Sequence, residues 1–122
     1  MRDFRKLLVW QKAHRLALEV HLTLQLDAAW RYPGLRAQVL RAAASIPANI
    51  AERCGKPSDA ELARFAEIAL GSTTELDNHL LSARDARVLD GARYADLAER
   101  VAEVRRMLFS FVRAVRSRTT PR

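Results

Sequence analysis

The chain has a single cysteine, Cys54, so no disulfide can close within it and no cysteine-built zinc site is available. Glycine and proline number four each, and no stretch alternates apolar with polar residues between turn signals. A sheet therefore has no support in the pattern. Aromatic residues make up 7% of the chain and are thinly interleaved with the basic ones, which argues against sequence readout of single strands. No apolar run approaches the roughly 20 residues a membrane span needs. The opening MRDFRKLLVW is charged and lacks an apolar stretch followed by a small-residue cleavage site, so the chain is expected in the cytoplasm and off the membrane. There is no P-loop, GxGxxG, HExxH or GxSxG, and no Glu-x-x-His pair of the kind bundle di-iron sites use. No cofactor or metal is expected.

What is present points to helix. At 122 residues and 49% hydrophobic content, the chain is long enough for one domain with its own core. Alanine and leucine dominate, and both lose little on entering a helix. The formal net charge is +7, from 21 basic and 14 acidic residues, and eighteen of the basic residues are arginine. Charge is segregated: +5 over residues 1–51, −3 over 52–90 and +5 over 91–122. Arginine suits bidentate phosphate contact, and an excess of it attracts polyanions without specifying a target.

Four segments carry helical spacing. The first spans Leu8 to Asp27, with Trp10, Ala13, Leu16, Ala17, Val20 and Leu24 on one stripe. The Arg31-Tyr32-Pro33-Gly34 stretch reads as a break. The second spans Leu35 to Arg53 on Leu35, Val39, Ala42, Ala43, Ile46 and Ile50, with Pro47 inside it. A proline there removes one backbone hydrogen bond and crowds the carbonyl of Ala43, which predicts a kink. Ser58-Asp59-Ala60-Glu61 is a capping box opening a third segment that stops near Leu89. Its stripe is Leu62, Phe65, Ile68, Ala69, Ser72, Leu76, Leu80 and Ala83. After the Asp90-Gly91 turn signal, the fourth spans Ala92 to Arg116, with Tyr94, Leu97, Val101, Val104, Leu108, Phe111 and Val115 in near-heptad spacing. The predicted fold is all-α: an antiparallel up-down-up-down four-helix bundle over residues 1–116, the second helix kinked at Pro47, followed by a disordered polar tail over 117–122.

Catalytic readings are weak. Cys54 has no histidine near it in sequence and reads as a small helix-end residue. His14 and His21 read as surface residues, and Glu75 with His79 as an acid–imidazole pair. One polar constellation stands out. Ser45, Asn49 and Glu52 lie close to the apolar stripe of the second segment, and Ser72 and Glu75 close to that of the third. Polar groups beside a core are costly unless paired, so a hydrogen-bond network that sets helix register is the preferred reading. Glu52 with Glu75 as an acid–base pair is the alternative, and it lacks the partners such a pair needs. The chain is read as a non-enzyme.

The central stretch resembles the 23S rRNA intervening-sequence protein family, whose members are described as four-helix-bundle proteins. The residues that carry the resemblance are Leu35-Arg36-Ala37-Gln38, Arg41-Ala42-Ala43, Ser45-Ile46-Pro47-Ala48-Asn49-Ile50-Ala51-Glu52, Phe65, Ile68-Ala69-Leu70-Gly71-Ser72 and Glu75-Leu76. Phe4, Leu7, Val9-Trp10 and Ala13 also look like the family's opening. Where the family usually has glycine after NIAE, this chain has Arg53, which shifts the expected helix-ending role to Gly55. The resemblance implies a ring, most often a homopentamer, and a link to RNA through insertions in ribosomal RNA genes. A related bundle, the accessory protein of diversity-generating retroelements, forms a similar ring that engages a reverse transcriptase and nucleic acid.

Two function classes follow. In the first, an oligomeric bundle holds the phosphates of RNA or DNA. In an up-down-up-down bundle the first and fourth helices are neighbours, which would join Arg5, Lys6, Lys12 and Arg15 to Arg105, Arg106, Arg113 and Arg116, with Arg36 and Arg41 extending the surface. Trp30 and Tyr32 offer stacking or subunit contacts from a loop, whereas Trp10 and Tyr94 fall on apolar stripes. In the second, the ring is a structural adaptor for a protein partner such as a reverse transcriptase, without direct nucleic-acid recognition.

Overall fold

The computed structural model describes residues 3–25, 31–54 and 58–119. Among them the regular structure is helical, and no strand occurs. A short 3-10 turn, Phe4–Lys6, precedes α1 (Leu8–Thr23), α2 (Pro33–Arg53), α3 (Asp59–Asp85) and α4 (Gly91–Thr119). The helices touch in cyclic order: α1 packs on α2, α2 on α3, α3 on α4 and α4 back on α1. The backbones of the diagonal pairs, α1 with α3 and α2 with α4, do not approach each other closely among the described residues. This is the contact pattern of a four-helix bundle.

The boundaries follow local chemistry, sometimes at other residues than the sequence pattern predicts. Pro33 and Gly34 do not form a turn before α2; they open it, with Pro33 at its first position, where its missing N–H is harmless. α2 runs through Pro47, which is buried, so that proline does not end the helix. Ser58 caps α3 as expected, its hydroxyl oxygen accepting the Glu61 N–H at 3.1 Å. The reciprocal bond from Glu61 back to Ser58 is absent among the described hydrogen bonds.

α3 stops at Asp85, short of the expected Leu89. Arg87 takes a left-handed φ of 62°, the Arg87 N–H reaches the Arg84 carbonyl at 3.0 Å, and the Val88 N–H reaches the Ala83 carbonyl at 2.9 Å. That is a Schellman motif with arginine where glycine is usual. It turns Val88 and Leu89 inward, both buried. Asp90 then caps α4, its carboxylate accepting the Arg93 N–H at 2.7 Å. α4 continues past the expected end at Arg116 to Thr119, so the predicted start of the disordered tail falls inside a helix; residues 120–122 lie outside the described residues. The stretch to Asp27 predicted for the first helix, Trp30 and Gly55 also lie outside them.

The core is built from Leu16 and Val20 of α1 with Leu24 at its C-cap, Val39, Ile46 and Ile50 of α2, Leu76 and Leu80 of α3, and Leu97, Val101, Val104 and Leu108 of α4. Each large aliphatic side chain so buried contributes about 1.5–3 kcal/mol. Trp10 and Tyr94 pack against this core half-buried. In the first half of α3 the buried face differs from the predicted stripe. Ala63, Ala66, Ala69 and Thr73 are buried, whereas Ile68 is 43% exposed and Phe65 half-buried. Small residues at the interior let the neighbouring helices approach, and the larger apolar ones are turned outward.

Candidate nucleic-acid interface

Helix packing distributes the ten predicted phosphate contacts over several faces. Arg105 leans from α4 onto α3: its Nε donates to the Thr73 hydroxyl at 3.3 Å, and one Nη to the Thr73 carbonyl at 3.4 Å. The same guanidinium lies 3.8 Å from Asp77. Arg116 pairs with Glu67, also on α3. Lys12 of α1 pairs with Glu103 of α4 at 3.3 Å, and this is the cation that bridges those two helices. Of the α4 arginines expected beside α1, Arg105 and Arg116 turn to the α3 side instead, whereas Lys12 and Arg15 of α1 line a shallow pocket together with Arg100 of α4. Arg106 pairs within its own helix with Glu99 at 3.8 Å, both side chains exposed.

The remaining cations sit elsewhere. Arg5 is exposed on the 3-10 turn and lies 3.6 Å from Asp3, with Lys6 exposed beside it. Arg36 donates from Nε to the Leu24 carbonyl at 3.1 Å, tying the start of α2 to the end of α1. Arg41 spans α2 and α3 to reach Glu75 at 3.8 Å. Exposed pairs of this kind contribute little to stability and can exchange for a phosphate partner at small cost. Lys6, Arg15 and Arg113 make no ion pair among the described residues.

The polar constellation near the core resolves into local bonds. The Ser45 hydroxyl donates to the Ala42 carbonyl and the Asn49 amide to the Ser45 carbonyl, each at 2.8 Å and each within α2. Ser72 is buried, Glu52 is exposed, and no hydrogen bond joins Asn49 to Ser72 among the described residues. Glu75 pairs with Arg41 and with His79 at 3.5 Å. Thr73, which the sequence pattern did not single out, does hydrogen-bond across helices. It is fully buried, donates to the Leu70 carbonyl at 2.6 Å and accepts from Arg105. Arg53 was also missed as an interior residue: it is 1% exposed, with its guanidinium 3.9 Å from the centroid of the Phe111 ring. A chain position that departs from a family's glycine was the signal available for it.

Cys54 is buried at the end of α2. Among the described residues no group of three or more His, Cys, Asp or Glu side chains is gathered that could hold a metal ion, and no helix is long and apolar enough to cross a membrane.

Four mutually packed helices, Arg-rich and without strands, define an all-α bundle protein. The chain belongs to the 23S rRNA-intervening sequence protein family, whose model matches residues 5–110. A solved structure from Bacteroides thetaiotaomicron, described as a protein with unknown function from the S23 ribosomal protein family, is similar to it with a TM-score of 0.80. The two are 24% identical, and the match covers 86% of this chain and 98% of that one. That likeness supports the fold. Among curated proteins no match is found.

Proposed function

We propose that this chain is a non-enzymatic, antiparallel four-helix bundle that assembles with copies of itself, as a homopentamer, and holds the phosphate backbone of RNA. The observation that carries the reading is the excess of arginine on a family member: a net charge of +7, with Arg5, Lys6, Arg41 and Arg106 all exposed and either free of an acid or in solvent-exposed pairs. The family's own description, a 23S rRNA-intervening sequence protein, favours RNA over DNA as the polyanion. The antiparallel arrangement is supported by the order of cross-helix pairs, since Arg105 meets Asp77 while Arg116, further along α4, meets Glu67, earlier on α3. Pro47 within α2 supports a bend there. The exposed apolar residues Leu8, Leu18, Leu22, Ile68 and Phe109 support self-association.

The test is fluorescence anisotropy of a labelled structured RNA and a matched DNA duplex at several salt concentrations. Binding should fall log-linearly with salt, with a slope of roughly 0.7–0.9 per phosphate contact. Lys6→Glu, Arg41→Glu and Arg106→Glu together should weaken binding and flatten the slope. Arg105 is the wrong residue to reverse, because its loss disturbs α3–α4 packing. No binding at low salt would sink the RNA reading and leave a ring that serves as an adaptor for a protein partner.

A further inference from the structure

Two apolar surfaces stay exposed among the described residues, and they differ in shape. The first is a ridge. Leu8, Gln11, Arg15, Leu18 and Leu22 alternate steps of three and four along α1, on the side opposite the buried Val9, Ala13, Leu16 and Val20. Leu8, Leu18 and Leu22 are 58%, 49% and 51% exposed. At about 1.5 Å per residue the ridge is roughly 21 Å long. Leucines placed there do nothing for the core.

The second surface is a groove between α3 and α4. Leu70 and Val112 line it together with Phe109, which is 54% exposed, and Glu67, Arg113 and Arg116 edge it. Gly71 lies in the same groove, and a Cβ built on it meets nothing within 4 Å. A glycine inside a helix weakens it, and here no contact within the chain requires the missing side chain. The groove is therefore without a side chain at that point of its wall.

Charge matches the two surfaces to each other. Arg15 and Glu19 flank the ridge, and neither makes an ion pair among the described residues. Across the groove stand Glu67 and Arg113, the latter likewise without an ion pair among the described residues. Glu19 therefore suits Arg113, whereas Glu67 is already met by Arg116 of its own chain.

We infer that the α1 ridge of one copy seats in the α3–α4 groove of the next, with its leucines over Gly71 and Phe109. This rests on the self-association proposed above and says which faces meet. Ridge and groove are different patches, so the contact is head-to-tail and propagates around a closed ring instead of stopping at a dimer. The contact engages Arg113, which leaves Arg5, Lys6, Arg41 and Arg106 of each copy for phosphate.

The test uses light scattering behind size exclusion on the full chain, with circular dichroism to verify folding. One variant spoils the ridge, Leu18→Glu with Leu22→Glu. The other fills the groove, Gly71→Trp. Both changes sit at solvent-facing positions, so both proteins should stay helical. The unaltered chain should run as a multiple of 13.8 kDa, and each variant alone as a monomer. Mixed in equal amounts, the two should form a one-to-one dimer, because the ridge variant keeps a sound groove and the groove variant a sound ridge. Variants that retain the full mass would overturn the docking while leaving self-association intact. Two monomers that fail to pair on mixing would exclude head-to-tail contact. A monomeric unaltered chain at micromolar concentration would overturn both self-association and the docking.

Discussion

Arg105 of α4 closes on Thr73 of α3 through two hydrogen bonds, one to the side-chain hydroxyl and one to the backbone carbonyl of the same residue. Thr73 is fully buried and Arg105 is half-buried, so the bond to the hydroxyl lies where water competes poorly. Asp77, one turn further along α3, supplies the counter-charge at 3.8 Å. An arginine that sequence reasoning assigns to a ligand thus fastens two helices.

Thr73→Val keeps the shape of the side chain and removes the hydroxyl, which accepts from Arg105 and donates to the Leu70 carbonyl. It should cost roughly 1–2 kcal/mol, the net worth of about two part-buried hydrogen bonds. Arg105→Met should cost a similar amount, and the double variant less than the sum of the two. Urea unfolding of all four proteins measures the coupling through the hydroxyl, and strict additivity would show that this bond contributes nothing, the bond to the backbone carbonyl being left in place by valine.

Arg53 buries its guanidinium over the face of Phe111. A cation over a desolvated ring is worth up to about 2 kcal/mol. Phe111→Leu should lower stability by more than a volume change alone, roughly 1–3 kcal/mol in total. Arg53→Gly, which restores the residue usual in the family, should also destabilise this chain, because here the space is filled by the arginine. Thermal melts decide it: an unchanged midpoint for Arg53→Gly would mean that the side chain is tolerated at that position without stabilising it.

At Arg87 the backbone already adopts the left-handed conformation that glycine accepts without strain. Arg87→Gly should raise stability by about 0.5–1 kcal/mol, the αL penalty of roughly 1–2 kcal/mol being partly offset by a freer unfolded chain. Calorimetry should show the midpoint rising by a few degrees. A fall would mean that the arginine side chain makes a compensating contact.

The Ser58 cap is a single bond to the Glu61 N–H, without the reciprocal half of the box. Ser58→Ala should therefore cost about 1 kcal/mol and Ser58→Asp almost nothing, since aspartate accepts the same bond and favours a helix N-terminus. Hydrogen exchange in the first turn of α3 would report the local opening. Equal protection in all three proteins would refute the role of the cap.

The helices and most of the core were legible in the sequence because they depend on neighbours three and four residues apart. The α4 stripe from Leu97 to Val115, the α2 stripe from Val39 to Ile50 and the Ser58 cap are of this kind. What the tertiary structure decided is how each helix is rotated against the next. That rotation turned Ile68 outward and Thr73 inward on α3, sent Arg105 and Arg116 toward α3 instead of α1, and put Arg53 under Phe111. Such choices depend on how residues tens of positions apart interlock, and small residues such as Ala63, Ala66 and Ala69 win the interior because they let helices come close. A helical period sees only one helix at a time, so the sequence determined which helices form, and only their packing decided which arginines remain available to a partner.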